Sequence, residues 1–295
     1  MPRPPAILAA LLLCVPVLCA MPASRAAAIG TTGSAGTAAA PGGSAPPPAS
    51  AIENAAARLT GQDATYTLQL ERAHGNVIGA TGTMTYKVED VCHAWASQQR
   101  LEMTLSNNDG TDVKTISDYA TWESKDGRQM NFHLRQTTDG AVTEEVDGTA
   151  SLARLGGPGV VHYTQPKPEV VTLPAGTLLP TTHTAMIIAA AEAGQHFVAV
   201  PLFDGTGTDG AQDTFVLIEG WNKPKPVAFA ALSPQPSGHV HVAFFSRKPG
   251  TLMPDYEVGM RYWQGGVANA LRMDFGDFVM DGTLKTLSVP SSPHC

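Results

Sequence analysis

The side chains best suited to chemistry are few and scattered. His239 and His241 stand two apart, so on a strand both imidazoles leave the same face, the spacing of a metal-ligand pair. They lack a third ligand nearby, and an alternating strand exposes such a pair to solvent just as readily. The loop from Asp204 to Asp213 offers three aspartates to a calcium ion, but its spacing departs from the EF-hand pattern and aspartate is ordinary in turns. His183, near the start of a predicted helix, reads as a core or capping group before it reads as a general base. Glu257 and Arg261, four apart on one strand, share a face with each other. If that face points into a rolled sheet, they need partners, because an unpaired buried charge is expensive, and each other or Asp274 would serve. Trp263, like Trp95, Trp122 and Trp221, packs a core or lines a groove. Asp118, Glu123 and Asp255 complete the polar candidates.

None of these amounts to a catalytic set. G-x-S-x-G, P-loop, dinucleotide, H-E-x-x-H and C-x-x-C patterns are all absent. DFG at 274–276 lacks the rest of the kinase signature and reads as a strand bend. The DGT triplets at 147–149, 204–206 and 281–283 reverse the D-T-G of aspartic proteases and read as turns. The expectation is a protein with no catalytic residue, no metal and no cofactor.

The cysteines point to a compartment. Residues 1–20 carry one charge, Arg3, followed by an apolar run to Ala20, the outline of a secretory signal. Cleavage after Ala20 or Ala23 leaves only Cys92 and Cys295. In an oxidising compartment a disulfide between them is the first hypothesis, closing a loop of about 200 residues for about 5 kcal/mol in the chain-entropy account. Two free thiols, or a zinc site completed by the adjacent His93 and His294, are the alternatives; adjacent ligands strain a tetrahedral site.

Composition bounds the remainder. Residues 24–55 are mostly Ala, Gly, Ser and Pro, too poor in side chains to repay ordering, and are expected to form a flexible leader. The single folded unit is then 56–295, although 51–60, AIENAAARLT, has the pattern of a short starting helix. The chain has net charge −7, and residues 1–50 hold two arginines and no acid, so the remainder carries −9. That balance argues against nucleic acid as a partner, and no membrane-spanning segment is expected in the mature chain.

The elements that position these residues are mainly strands. ATYTLQLER at 64–72 alternates with period two, and Asp-Gly or Asn-Asp-Gly turns punctuate the segments that follow. One stretch differs. In LPAGTLLPTTHTAMIIAAAEAG at 173–194, Pro180 can open a helix, Thr181 or Thr182 can cap it, and Gly194 can end it. Its apolar character on nearly every side places it inside the protein. The reading is all-β: a large antiparallel sheet of about fourteen strands, an open or spiralling barrel, rolled around one central helix.

Three segments, in this order, resemble a known family: VCHAWASQQRLEM at 91–103 with SDYATWESKDG at 117–127; LPAGTLLPTTHT at 173–184 with PLFDGT at 201–206; and PDYEVGMRYWQGGVANALRMDFGDFVMDGTL at 254–284. They are similar to the cell envelope integrity proteins of the EipB type. The resemblance implies a periplasmic β-spiral with an internal helix, and the Cys92–Cys295 disulfide that counting also suggests. It further implies a role in envelope integrity through binding another periplasmic protein, one with tetratricopeptide repeats among them, and no catalytic residue. Two functions follow as expectations: a non-enzymatic scaffold or adaptor first, and a carrier of lipid or lipoprotein acyl chains in the barrel interior second. A hydrolase comes third.

Overall fold

The computed structural model describes residues 45–295. The signal expected over 1–23, and the leader as far as residue 44, lie outside the described residues. Helix α1 (Ala49–Ala56) opens the described chain. Eight strands follow: β1 (Gln62–Ala73), β2 (Val77–Asp90), β3 (Ala94–Asn107), β4 (Asp112–Ser124), β5 (Gln129–Thr138), β6 (Ala141–Leu152), β7 (Gly159–Gln165) and β8 (Glu169–Leu173). Helix α2 (Pro180–Glu192) separates them from six more: β9 (Phe197–Leu202), β10 (Gln212–Ile218), β11 (Ser237–Phe245), β12 (Tyr256–Trp263), β13 (Ala268–Asp274) and β14 (Phe278–Ser288).

All fourteen strands join one antiparallel sheet, in the order β8-β7-β6-β5-β4-β3-β2-β1-β14-β13-β12-β11-β10-β9. The first and second halves of the chain are each a meander, and β1 pairing with β14 sews them together. Local sequence sets the meander. Asp139 (φ 51°) and Gly140 (φ 81°) take the left-handed conformations a tight hairpin needs, and the Asp139 carboxylate accepts from the Lys114 amide at 2.9 Å. The sheet is rolled but open, with β8 and β9 as its edges. Leu178, on the way from β8 to α2, bridges to Leu202, the last residue of β9, so the C-terminal end of the β9 edge is already paired and the open part lies at Phe197–Ala199.

Helix α2 lies within the roll. Ten of its thirteen residues are buried, including Met186, Ile187 and Ile188, each at 1 % exposure or less. Burying each such side chain is worth about 1.5–3 kcal/mol. Gly194 (φ 72°) closes the helix as its residue type suggests, with the Gln195 amide reaching back to the Ala190 carbonyl at 2.9 Å.

The short starting helix expected within 51–60 is present beside the central one, and it begins two residues earlier, at Ala49. Helix α1 occupies the end of the supposed leader, buries Ile52 and Ala55, and packs on α2. An ion pair between Arg58 and Glu192 joins the two, and Gln264 Nε2 donates to the same carboxylate at 2.7 Å. Composition misled because Ala55 needs only a close neighbour, not a large side chain, to be buried. Among the described residues no helix is long and apolar enough to cross a membrane.

Candidate functional site

The interior is organised by the start of α2. Its N-cap position is Leu179, which has no side chain able to accept a hydrogen bond, and Pro180 follows. The orphan amides are met from across the barrel by Glu123 on β4, whose carboxylate accepts from the Thr181 amide (2.6 Å), the Thr182 amide (2.9 Å) and Thr182 Oγ1 (2.7 Å). Glu123 is 1 % exposed. Burial raises its pKa above the usual carboxylate value, while the bonds from Thr182 and Thr181 oppose the rise. The threonines expected to cap the helix are therefore donors to a cap supplied from 58 residues earlier in the chain.

One turn into α2, His183 is buried against β10. Thr214 Oγ1 donates to the Val200 carbonyl at 2.9 Å, so at the 2.9 Å His183 contact the ring Nε2 carries the proton and donates to Thr214. Burial pushes its pKa down to about 4. His183 is thus a neutral core group with its ring nitrogen committed.

Two small clefts flank this part of α2. One, of about 40 Å³, lies between Trp95, Tyr86, Tyr119, Thr181 and Gly265; the other, of about 50 Å³, between Tyr66, Tyr86, Gln99, Thr184 and Tyr262. They offer aromatic faces and hydroxyls, but each has room for little more than a water molecule. The Tyr66 hydroxyl is already donated to the Ala268 carbonyl at 2.7 Å.

The remaining predicted site residues lie on the outside. Along β12, Tyr256, Val258 and Met260 are buried, while Glu257, Gly259 and Arg261 face outward. Glu257 pairs with His241 at 2.5 Å, and Arg261 donates to His239 (2.5 Å) and Ser237 Oγ (3.2 Å). Asp274 stands opposite Glu257 in register but turns to Arg72 (3.7 Å) and Arg272 (3.9 Å). The expected pairing of Glu257, Arg261 and Asp274 inside the barrel does not occur, because the alternation of β12 puts its apolar set inward. His239 and His241 do share a face, but each is engaged by a different partner. Trp263 is also outside the barrel. It packs with Leu232 and Val267 in a small separate core beneath residues 227–233, its Nε1 donating to Asn269 at 3.2 Å.

The loop after β9 holds a polar network that sequence reasoning read only as turns or a calcium loop. Asp204 is 4 % exposed, and its carboxylate accepts from the Thr206 amide (3.1 Å), Thr206 Oγ1 (2.7 Å) and Gln212 Nε2 (2.6 Å). Its backbone carbonyl accepts from the Tyr119 hydroxyl. Burial pushes its pKa up to about 7. Asp209 and Asp213 face elsewhere, to Lys248 at 2.8 Å and to Arg247, so the three aspartates do not converge. The D-x-T spacing of an Asx turn was the available signal.

At the barrel rim, Cys92 and Cys295 form a disulfide, with Cα atoms 5.8 Å apart. It ties the C-terminal tail to the β2–β3 connection, next to Lys125, which sits 4.8 Å over the Trp95 ring and 2.6 Å from Asp90. Among the described residues, no cluster of three His, Cys, Asp or Glu side chains is placed to hold a metal.

Comparison with known proteins gives concordant results. A family model described as EipB-like matches residues 53–291. The chain is 29 % identical over 243 residues to the Cell envelope integrity protein EipB of Brucella abortus (strain 2308), covering 80 % of this chain and 86 % of that protein. Its fold is similar to the crystal structure of a beta-barrel-like protein of the domain of unknown function DUF1849 from Brucella abortus. There the TM-score is 0.72 at 29 % identity, over 79 % of this chain and 99 % of the other.

Proposed function

The chain belongs to the EipB-like family, and on that premise we propose that it is a non-catalytic periplasmic scaffold that supports cell-envelope integrity by binding another protein. The observation that carries this reading is the occupied interior. Helix α2 fills the roll, and the clefts beside it, at about 40 and 50 Å³, are far below the several hundred Å³ of an ordinary ligand pocket. Neither cleft would take an acyl chain without a shift of α2, which favours the surface over the interior as the binding place. A hydrolase reading fares no better, since His183 is neutral and committed to Thr214.

Binding then falls to the surface, and the open sheet offers a place. The Ile218 amide donates to the His196 carbonyl, which sets the phase of the β9–β10 ladder. In that phase Val198 and Val200 bond toward β10, while the backbone groups of Phe197 and Ala199 point to the free edge. Phe197 and its neighbour Phe215, ring centroids 5.9 Å apart, stand 42 % and 40 % exposed beside them. An extended segment of a partner can add a strand here and cover both rings. The partner is a protein of the same compartment; a tetratricopeptide-repeat protein is the class implied by the family resemblance.

Complementation tests this. In cells lacking the protein, wild type should restore resistance to envelope stress. Ala199→Pro, which removes an outward-pointing amide on the edge strand, and Phe197→Glu should fail to restore it while keeping the wild-type melting temperature. Full complementation by both variants would refute docking at this edge.

A further inference from the structure

A second surface lies at the end of the sheet where residues 203–212 meet residues 246–255. Between these segments is a cleft of about 190 Å³ whose walls carry both signs of charge: Asp204, Asp209 and Asp255 against Arg247 and Lys248. Gln212, 6 % exposed, lines it. Its Nε2 is given to Asp204, and its Oε1 is buried without a hydrogen-bond partner. Such an acceptor calls for an N–H or O–H donor.

The same second segment presents an apolar tip. Leu252 is 87 % exposed and Met253 75 %. The loop that carries them is braced rather than loose. The Thr251 hydroxyl donates to the Lys248 carbonyl (3.0 Å), the Ser246 amide to the Asp255 carboxylate (2.8 Å), and the Asp255 amide to the Phe244 carbonyl (2.8 Å). Two neighbouring large apolar side chains are thus held out in water. The pair is too small to make a protein interface of ordinary size, but it suits insertion into a bilayer.

We infer that this end of the molecule rests on a phospholipid bilayer, with the cleft taking the headgroup of an amine-bearing zwitterionic phospholipid while Leu252 and Met253 enter the acyl layer. The charge pattern selects that headgroup. Lys248 is matched by Asp209 and Arg247 by Asp213, so the surface is not the unbalanced basic patch that draws anionic lipid. A zwitterion conserves the pairing: its phosphate takes Lys248 while its ammonium takes Asp209. The ammonium N–H groups also supply the donor that Gln212 Oε1 lacks, which a trimethylated amine cannot do. This contact is separate from the β9 edge, so loss of vesicle binding would leave the protein-docking proposal standing, and the reverse.

Vesicle flotation of the purified protein tests it, with phosphatidylcholine alone, with added phosphatidylethanolamine, and with added phosphatidylglycerol. Recruitment should be severalfold stronger with phosphatidylethanolamine and little weakened by salt. The double variant Leu252→Asp/Met253→Asp should lose roughly tenfold or more in binding while its melting temperature stays unchanged, since both positions are exposed. Asp209→Asn/Lys248→Gln should retain weak binding but no longer distinguish the two zwitterionic lipids. Equal binding to both lipids by wild type, binding to phosphatidylglycerol alone with steep loss in salt, undiminished binding by the tip variant, or no binding to any vesicle would each overturn the inference.

Discussion

At the scale of single residues, the interior chemistry serves the fold. Glu123 satisfies the amides of Thr181 and Thr182 in a setting from which water is excluded, so Glu123→Ala should cost about 1–3 kcal/mol in denaturant unfolding. Glu123→Gln, which keeps one acceptor, should cost less; equal losses would show that a neutral acceptor cannot stand in for the carboxylate. Titration separates two opposing contributions. Burial raises Asp204 from 3.8 to about 7 and Glu144 from 4.5 to about 7. Between those values the folded state holds more protons than the unfolded chain, so these groups make stability fall as pH rises from about 4 to about 7. His183, lowered from 6.5 to about 4, acts in the opposite sense: the unfolded state takes the proton first, and stability falls as pH drops through that window. Asp204→Asn should therefore leave a stability profile that rises more steeply, or falls less, between pH 4 and 7 than that of wild type. An unchanged slope in urea titrations would remove Asp204 from the account.

At the scale of elements, the sequence reveals periodic features and conceals long-range ones. The alternation of β1, the Asp-Gly hairpins, Pro180 and Gly194 at the ends of α2, and its all-round apolar character are local signals, and fourteen strands around a buried helix follow from them. The cap of α2 is not local. Thr181 and Thr182 look like self-sufficient capping residues until Glu123 is folded against them. The outward direction of Glu257 and Arg261 is legible in the sequence, because Tyr256, Val258 and Met260 mark the inner face of β12. The α2 cap depends on its neighbours. Gly127 has φ 65°, and a Cβ there would lie 2.6 Å from Thr182 Oγ1, so Gly127→Ala should destabilise by about 1–3 kcal/mol through strain and a disturbed cap. The disulfide anchors the C-terminal tail. Cys92→Ser or Cys295→Ser should lower stability by up to about 5 kcal/mol and open the tail to protease. Variants as stable and as resistant as the oxidised wild type would rule out a structural role.

At the scale of the whole molecule, an open antiparallel roll is a sheet that has hidden one face and kept two edges. It stays folded because α2 takes the place a ligand would occupy in a carrier. On the reading proposed above, function lies outward, at the β9 edge for a protein and at the Leu252–Met253 end for a membrane surface. The family relationship is to a cell envelope integrity protein of Brucella abortus. The measurement that tests the central claim most directly is backbone hydrogen exchange of α2, followed with and without phospholipid vesicles. If α2 is a permanent part of the core, residues 185–191 should exchange only through global unfolding, at a rate that lipid leaves unchanged while protection shifts at residues 246–255. An α2 that opens well below the global unfolding free energy, or whose exchange responds to lipid, would contradict the filled-interior account and restore the carrier.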